Sequence, residues 1–251
     1  MRAWNYQEAE TVKRKDGFMK TAFKAFMLAV SLSLAPIAAS ADDGPVVVEL
    51  YTSQGCSSCP PADRLLRELK KRNDIIAIAL HVDYWDYIGW KDQFADPDFT
   101  VRQRAYAREG GRRMIYTPQM IIGGDTNIEG AQPMKVLAAV ADAKTQGVGP
   151  NLKLTRQGQQ VRVRARQMDL SEPVDVILVR YEPEQEVRIS RGENRGRTLT
   201  YSNIVTSWES LGTWDGEKGL NFVTDARGDD AVVVFLQYPG PGKIIGAAEL
   251  K

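Results

Sequence analysis

The sequence predicts an α/β domain with a helical insertion, followed by an all-β, sandwich-like module. Three observations predict it. A β-α-β order surrounds the only cysteine pair within residues 42–149. An aromatic and then helical segment, 83–113, interrupts that order. From residue 150 onward the apolar pattern alternates with period two and no long helical period returns. The 251 residues are 43% hydrophobic and 26% charged, which fits a globular chain and excludes a disordered or fibrous one. A formal charge of +1 gives no bulk electrostatic reason to expect nucleic acid as a partner.

Residues 1–41 are expected to be a signal peptide, with Met19 the true start. Lys20 and Lys24 precede a 17-residue uncharged run, Ala25–Ala41, which ends in the cleavage pattern Ala39-Ser40-Ala41 before Asp42-Asp43. That run contains Pro36 and is shorter than the roughly 20 residues a spanning helix needs, so no membrane span is expected after cleavage. The expected location is the periplasm or the medium, where a disulfide persists.

The elements follow in order. Val46–Tyr51 is a β-branched run and reads as a buried strand. Ser53-Gln54-Gly55 turns into Cys56-Ser57-Ser58-Cys59. Ala62, Leu65, Leu66 and Leu69 then recur at helical spacing to about Asn73. Pro60-Pro61 fixes that helix start, because two prolines are tolerated only among backbone N–H groups with no intrahelical acceptor. Ser58 would be the N-cap and Cys59 the first helical residue. Ile75–Val82 is a second buried strand, expected parallel to the first. Within 83–113, Asp96-Pro97 opens a helix that Gly110-Gly111 closes. Thr117-Pro118, Met120–Ile122, Gly123-Gly124 and a strand through Ile128 form a hairpin, and a helix runs from Pro133 to about Gln146. Gly147–Pro150 marks a boundary. Beyond it, Val161, Val163 and Ala165 alternate with arginines, and 174–181, 204–208, 231–238 and 244–250 read as strands, about seven in all.

The chemistry centres on the two cysteines. A thiolate is the reactive form, and unpaired N–H groups at a helix N-terminus favour it at Cys56. Cys59, one turn inside, is placed to resolve a mixed disulfide. The dithiol would itself carry the electrons, so no cofactor is expected. A structural bridge is the alternative, although closing so short a loop restrains the unfolded chain little.

Strand Val46–Tyr51, Cys56-Ser57-Ser58-Cys59 opening a helix, and Thr117-Pro118 before a hairpin resemble the thioredoxin superfamily. Glu49–Pro61, His81–Asp86, Arg102–Ala107, Tyr116–Gln119 and Arg191–Asn194 resemble, more narrowly, a secreted bacterial thioredoxin-like family, domain of unknown function 1223. The resemblance implies a cis Thr117–Pro118 bond facing the dithiol and holding the main chain of a thiol substrate. It also points to Glu49 as a proton relay for Cys59, if the turn is one residue longer than usual; a solvated carboxylate is the other reading of Glu49.

His81 ends the second strand. It reads as hydrogen-bonded structure, as a charge partner for the thiolate, or as a third copper ligand with Cys56 and Cys59. The aromatic insertion reads either as a substrate groove or as the underside of a helical cap. The expected function is thus exported thiol-disulfide exchange with a protein or small-thiol substrate. Its rivals are copper delivery through Cys56, Cys59 and His81, and a non-catalytic binding module with an inert disulfide.

Overall fold

A computed structural model describes residues 44–146, 149–226 and 231–251. The expected leader, 1–41, lies outside the described residues. Strand β1 (Val46–Thr52) and strand β2 (Ile75–His81) are parallel, in a register from Val46 opposite Ile75 to Thr52 opposite His81. Helix α1 (Pro60–Leu69) joins them, with Cys59 as N-cap and both prolines in its first turn, one residue later than the sequence pattern suggested. Helix α2 (Pro97–Glu109) is capped by Asp96, whose side chain accepts from the Asp98 N–H at 2.9 Å. Strands β3 (Gln119–Ile122) and β4 (Thr126–Glu129) form the expected hairpin, and β3 runs antiparallel to β1. The hairpin turns through Gly123 and Gly124, both at positive φ. Helix α3 (Pro133–Thr145) closes this half.

The second half holds β5 (Lys153–Gln157), β6 (Gln160–Ala165), β7 (Val174–Arg188), β8 (Thr198–Trp214), β9 (Leu220–Asp225), β10 (Ala231–Gln237) and β11 (Ile244–Leu250). Only β5, β6 and β9 make a sheet of their own. The other four extend the first sheet into an eight-stranded mixed one, ordered β11-β10-β7-β8-β2-β1-β3-β4.

This corrects the expected fold class. The described residues are mostly β, with 42% in strands and 19% in helices, and they do not form a helix-containing thioredoxin fold followed by a separate β module. The physical reason lies at β2. Its sequence, IIAIALH, is buried at every position, and a strand buried on both faces is poorly suited to a sheet edge. β8 covers that edge in parallel, at Ala79 opposite Ile204. Next to that pair, Asn203 adopts φ +50° and its Nδ2 donates to the Ala77 carbonyl at 2.7 Å, a side-chain bond where a strand bond would otherwise fall. The expected strand spans 174–181 and 204–208 are the first half of β7 and the middle of β8, two much longer strands. Their far ends form a hairpin reaching toward the cysteines.

Alternation along these strands builds two sides. Val47, Tyr51, Ile78 and Leu80 share one apolar cluster with Ile177, Val179, Val233 and Phe235 of the second half, under Phe99 and Tyr106 of α2. Val48, Leu50, Ala77 and Ala79 point the other way, under Leu66 of α1 and Val136 of α3. Further along that second side, Val176, Leu178 and Val234 pack against Val161 and Val163 of the small sheet. One core therefore runs beneath both halves. Among the described residues no helix is long and apolar enough to cross a membrane.

Candidate functional site

Cys56 and Cys59 are joined in a disulfide, at the point where β1 turns into α1. The turn is held by its own backbone: Cys56 N–H donates to Ser53 O at 3.2 Å and Cys59 N–H to Cys56 O at 3.3 Å. Both cysteines are buried, while Ser57 and Ser58 between them are exposed. Ser58 Oγ lies 3.3 Å from Cys56 Sγ and 3.4 Å from the Thr117 carbonyl oxygen, so its single proton can serve either. The Thr117–Pro118 peptide is cis, and that carbonyl contact sets it beside the cysteine turn. Thr117 Oγ1 in turn accepts from Trp85 Nε1 at 2.7 Å.

Two pieces distant in sequence brace this turn. The insertion contributes Trp85 and Ile88, which lie so close to Gly55 that an added Cβ would meet them at 3.1 and 3.2 Å. It also contributes Asp92, which accepts from Gln54 N–H at 2.8 Å, and Trp90, whose Nε1 donates to Gln54 Oε1 at 2.7 Å. The tip of the β7–β8 hairpin contributes Asn194. Its amide donates to both Gln54 O and Cys56 O at 2.9 Å, while its own oxygen accepts from Arg197 at 2.8 Å. Tyr84 and Trp85 pack on one core cluster and Trp90 and Phe94 on another, which favours the cap reading of the insertion. Tyr87, at 81% exposure, is its outward aromatic.

Glu49 is fully buried on the α2 side of β1. Arg102 Nε and Nη2 donate to its two oxygens at 2.7 and 2.9 Å, and Tyr106 and Tyr51 hydroxyls add bonds at 2.6 and 3.1 Å. Arg102 also donates to Gln237 of β10 and stacks 4.1 Å from the Trp208 ring. Glu49 thus stands in a buried, two-pronged ion pair that ties the insertion to both halves of the sheet.

On the opposite side of the sheet, under α1, lies a second buried acid that the sequence reading did not single out. Asp63 sits one helical turn after Cys59, with its N–H donating to Cys59 O at 3.1 Å. Its Oδ1 accepts from Thr52 Oγ1 at 2.7 Å. Burial pushes its carboxyl up; His81 and the Thr52 bond oppose this, the Asp92 charge adds to it, and the net value is about 7. An acid in the first turn of a helix is ordinarily a dipole partner, so only the polar strand ends Thr52 and His81 opposite it could have flagged Asp63.

His81 is fully buried, its Nδ1 2.8 Å from Asp92 Oδ2. Burial works against the Asp92 charge, but His81 and the backbone N–H bonds from Gln54 and Phe94 outweigh it and hold that carboxyl below its ordinary range. Phe94 and Tyr201 meet the imidazole edge-on. The three sulfur and nitrogen ligands required for copper delivery are not brought together: among the described residues no group of three His, Cys, Asp or Glu side chains could hold a metal ion.

Comparison with known proteins places this geometry in a family. A family model described as a protein of unknown function (DUF1223) matches residues 47–237. The chain belongs to that family. It is similar to an Agrobacterium tumefaciens protein solved by X-ray crystallography, with 32% identity and a TM-score of 0.73, over 82% of this chain and 93% of that one. It also shares its fold with HBP35 of Porphyromonas gingivalis, at 15% identity and a TM-score of 0.51, over 83% of this chain and 75% of that one. No curated protein matches the chain. The family match spans both halves, from β1 to β10, as does the continuous sheet.

Proposed function

We propose that this member of the DUF1223 family is an exported thiol-disulfide oxidoreductase. The observation that carries the reading is the Cys56–Cys59 disulfide at the N-terminus of α1, flanked by the Ser58 hydroxyl and the Thr117 carbonyl. In the reduced protein, the helix N-terminus and the Ser58 hydroxyl stabilise a Cys56 thiolate. That thiolate attacks one sulfur of a substrate disulfide. The substrate S–S bond breaks, a Cys56–substrate bond forms, and the first substrate sulfur leaves as a thiolate. Cys59 then loses its proton and attacks Cys56, restoring the internal disulfide and releasing the second substrate sulfur. Two electrons pass to the substrate; run backwards, a substrate dithiol reduces the protein.

The likeness to thioredoxins is local in this reading. It consists of the dithiol turn, the βαβ unit that carries it and the cis Thr117–Pro118 bond, and not of the overall architecture. Thr117 and Pro118 shape the place where a substrate main chain lies. Export rests on the sequence of residues 20–41 alone.

Equilibrating the protein with glutathione tests the reading. A pair that exchanges readily, with a reduction potential between about −120 and −270 mV, supports it. A pair below about −300 mV that barely exchanges is a structural bridge and overturns it.

A further inference from the structure

The face of the sheet beneath α1 carries polar atoms that the exchange step above leaves unused. Thr52 and His81 stand opposite each other at the ends of β1 and β2. Asp63 meets Thr52 from above. Asp92 comes in from the insertion, and a single oxygen, Oδ2, accepts from both the Gln54 N–H of the cysteine turn and the His81 ring. Because Asp92 is an acceptor there, His81 carries a hydrogen on Nδ1. Its Nε2 is buried and has no hydrogen-bond partner among the described residues, and the same holds for the Tyr201 hydroxyl against the ring and for Gln54 Nε2. Buried polar atoms left unpaired are uncommon, and an imidazole nitrogen among them marks a place where a proton can be received.

Resting on the oxidoreductase reading, we propose that Asp63, His81 and Asp92 form one buried proton-sharing unit beneath the dithiol. Asp63 takes the proton that Cys59 releases when it attacks Cys56, and returns it when the disulfide is reduced. His81 and Asp92 are positioning residues: Asp92 fixes the ring tautomer so that Nε2 is the free acceptor, and His81 tunes the charge on Asp63. Helical side chains lean toward the helix N-terminus, so Asp63, four residues after Cys59, leans toward that cysteine. The charged and titratable groups around it are His81 on β2, Asp92 from the insertion, Arg64 on its own helix and Tyr201 on β8. Tyr201 is driven up by burial and by the two carboxyls, so it stays a hydroxyl throughout. The insertion then does more than cover the site: through Asp92 it links the position of the cysteine turn to the protonation of what lies below it.

The experiment follows the full chain reacting with dithiothreitol and with oxidised glutathione from pH 5 to 9. Alongside it, carbon NMR of the Asp63 carboxyl is recorded in the oxidised and reduced protein. The wild type is expected to show a step in the Cys59-dependent rate near neutral pH, and an Asp63 midpoint that differs between the two redox states. Asp63→Asn is expected to remove the step and slow resolution of the mixed disulfide at least tenfold, leaving its formation at Cys56 unchanged. His81→Gln is expected to move the step to higher pH, since a proton received at Nε2 gives His81 the positive charge that lowers the Asp63 value. An unchanged pH profile in Asp63→Asn, or a wild-type Asp63 midpoint indifferent to redox state, overturns the proposal while the oxidoreductase reading stands. Absence of exchange in the wild type at every pH removes both. The NMR titration needs no variant, so it decides even if a substitution prevents folding.

Discussion

Two carboxyl groups are buried on opposite sides of the same sheet, and their surroundings are unlike. Glu49, on the α2 side, has both oxygens filled by a guanidinium and two phenols. Asp63, on the α1 side, has one hydroxyl bond and no cation within hydrogen-bond reach among the described residues, in a cluster where other polar atoms are unpaired. A saturated pair is built to hold elements together, and its partial loss is costly. A lightly bonded acid with a near-neutral value is built to change its charge. Sequence position alone, seven residues before Cys56 against four after Cys59, does not separate these roles.

The comparison can be broken most forcefully at Arg102. Arg102→Met leaves Glu49 without its cation and is expected to cost about 3–5 kcal/mol in urea denaturation. Adding Glu49→Gln should recover part of that loss, and a wild-type midpoint in the single variant would mean that the ion pair holds nothing. Asp63 should behave in the opposite sense. Its folded value, about 7, lies above the ordinary 3.8, so the folded chain binds a proton that the unfolded chain releases. Its contribution is full below 3.8 and is lost as pH rises toward about 7. Asp63→Asn should therefore stabilise the protein by about 4 kcal/mol more at pH 8 than at pH 4. Equal effects at both pH values would show that Asp63 is not buried in its charged form.

A smaller change tests whether the second half reaches the site. Asn194→Ala leaves the Gln54 and Cys56 carbonyls without their side-chain donor, an expected loss of about 1–3 kcal/mol, and faster proteolysis within residues 53–59. The smallest is Ser58→Ala, at an exposed position. Stability should stay within about 0.5 kcal/mol, while the Cys56 thiol, followed by its ultraviolet absorbance, titrates at higher pH than in the wild type. A thiol midpoint that does not move would assign the Ser58 proton to Thr117 alone.

Much of the first half was legible because its signals are local. Pro60-Pro61 fixed a helix start to within a residue, Asp96-Pro97 and Gly110 bracketed α2, and Gly123-Gly124 marked the hairpin. The joining of β8 to β2 was not legible, because period-two alternation tells which way side chains face and not which strand lies alongside. The nearly all-apolar β2 carried a hint that it was no edge. At the site, the cysteines stood out by residue type and spacing, and the cis proline bond through the family resemblance. Asp92 and Asn194 did not stand out, because each acquires its role only by reaching 38 or 140 residues back to Gln54. Arg191–Asn194 entered the sequence analysis through family resemblance alone, and the structure gives Asn194 a physical task.

The cover that β8 gives to β2 bears on how the protein can be handled. A fragment ending near residue 149 would keep both cysteines but bare the edge of β2, whose first six residues are apolar. Such an edge recruits other chains, and the fragment should precipitate or form fibrils where the intact protein stays dispersed.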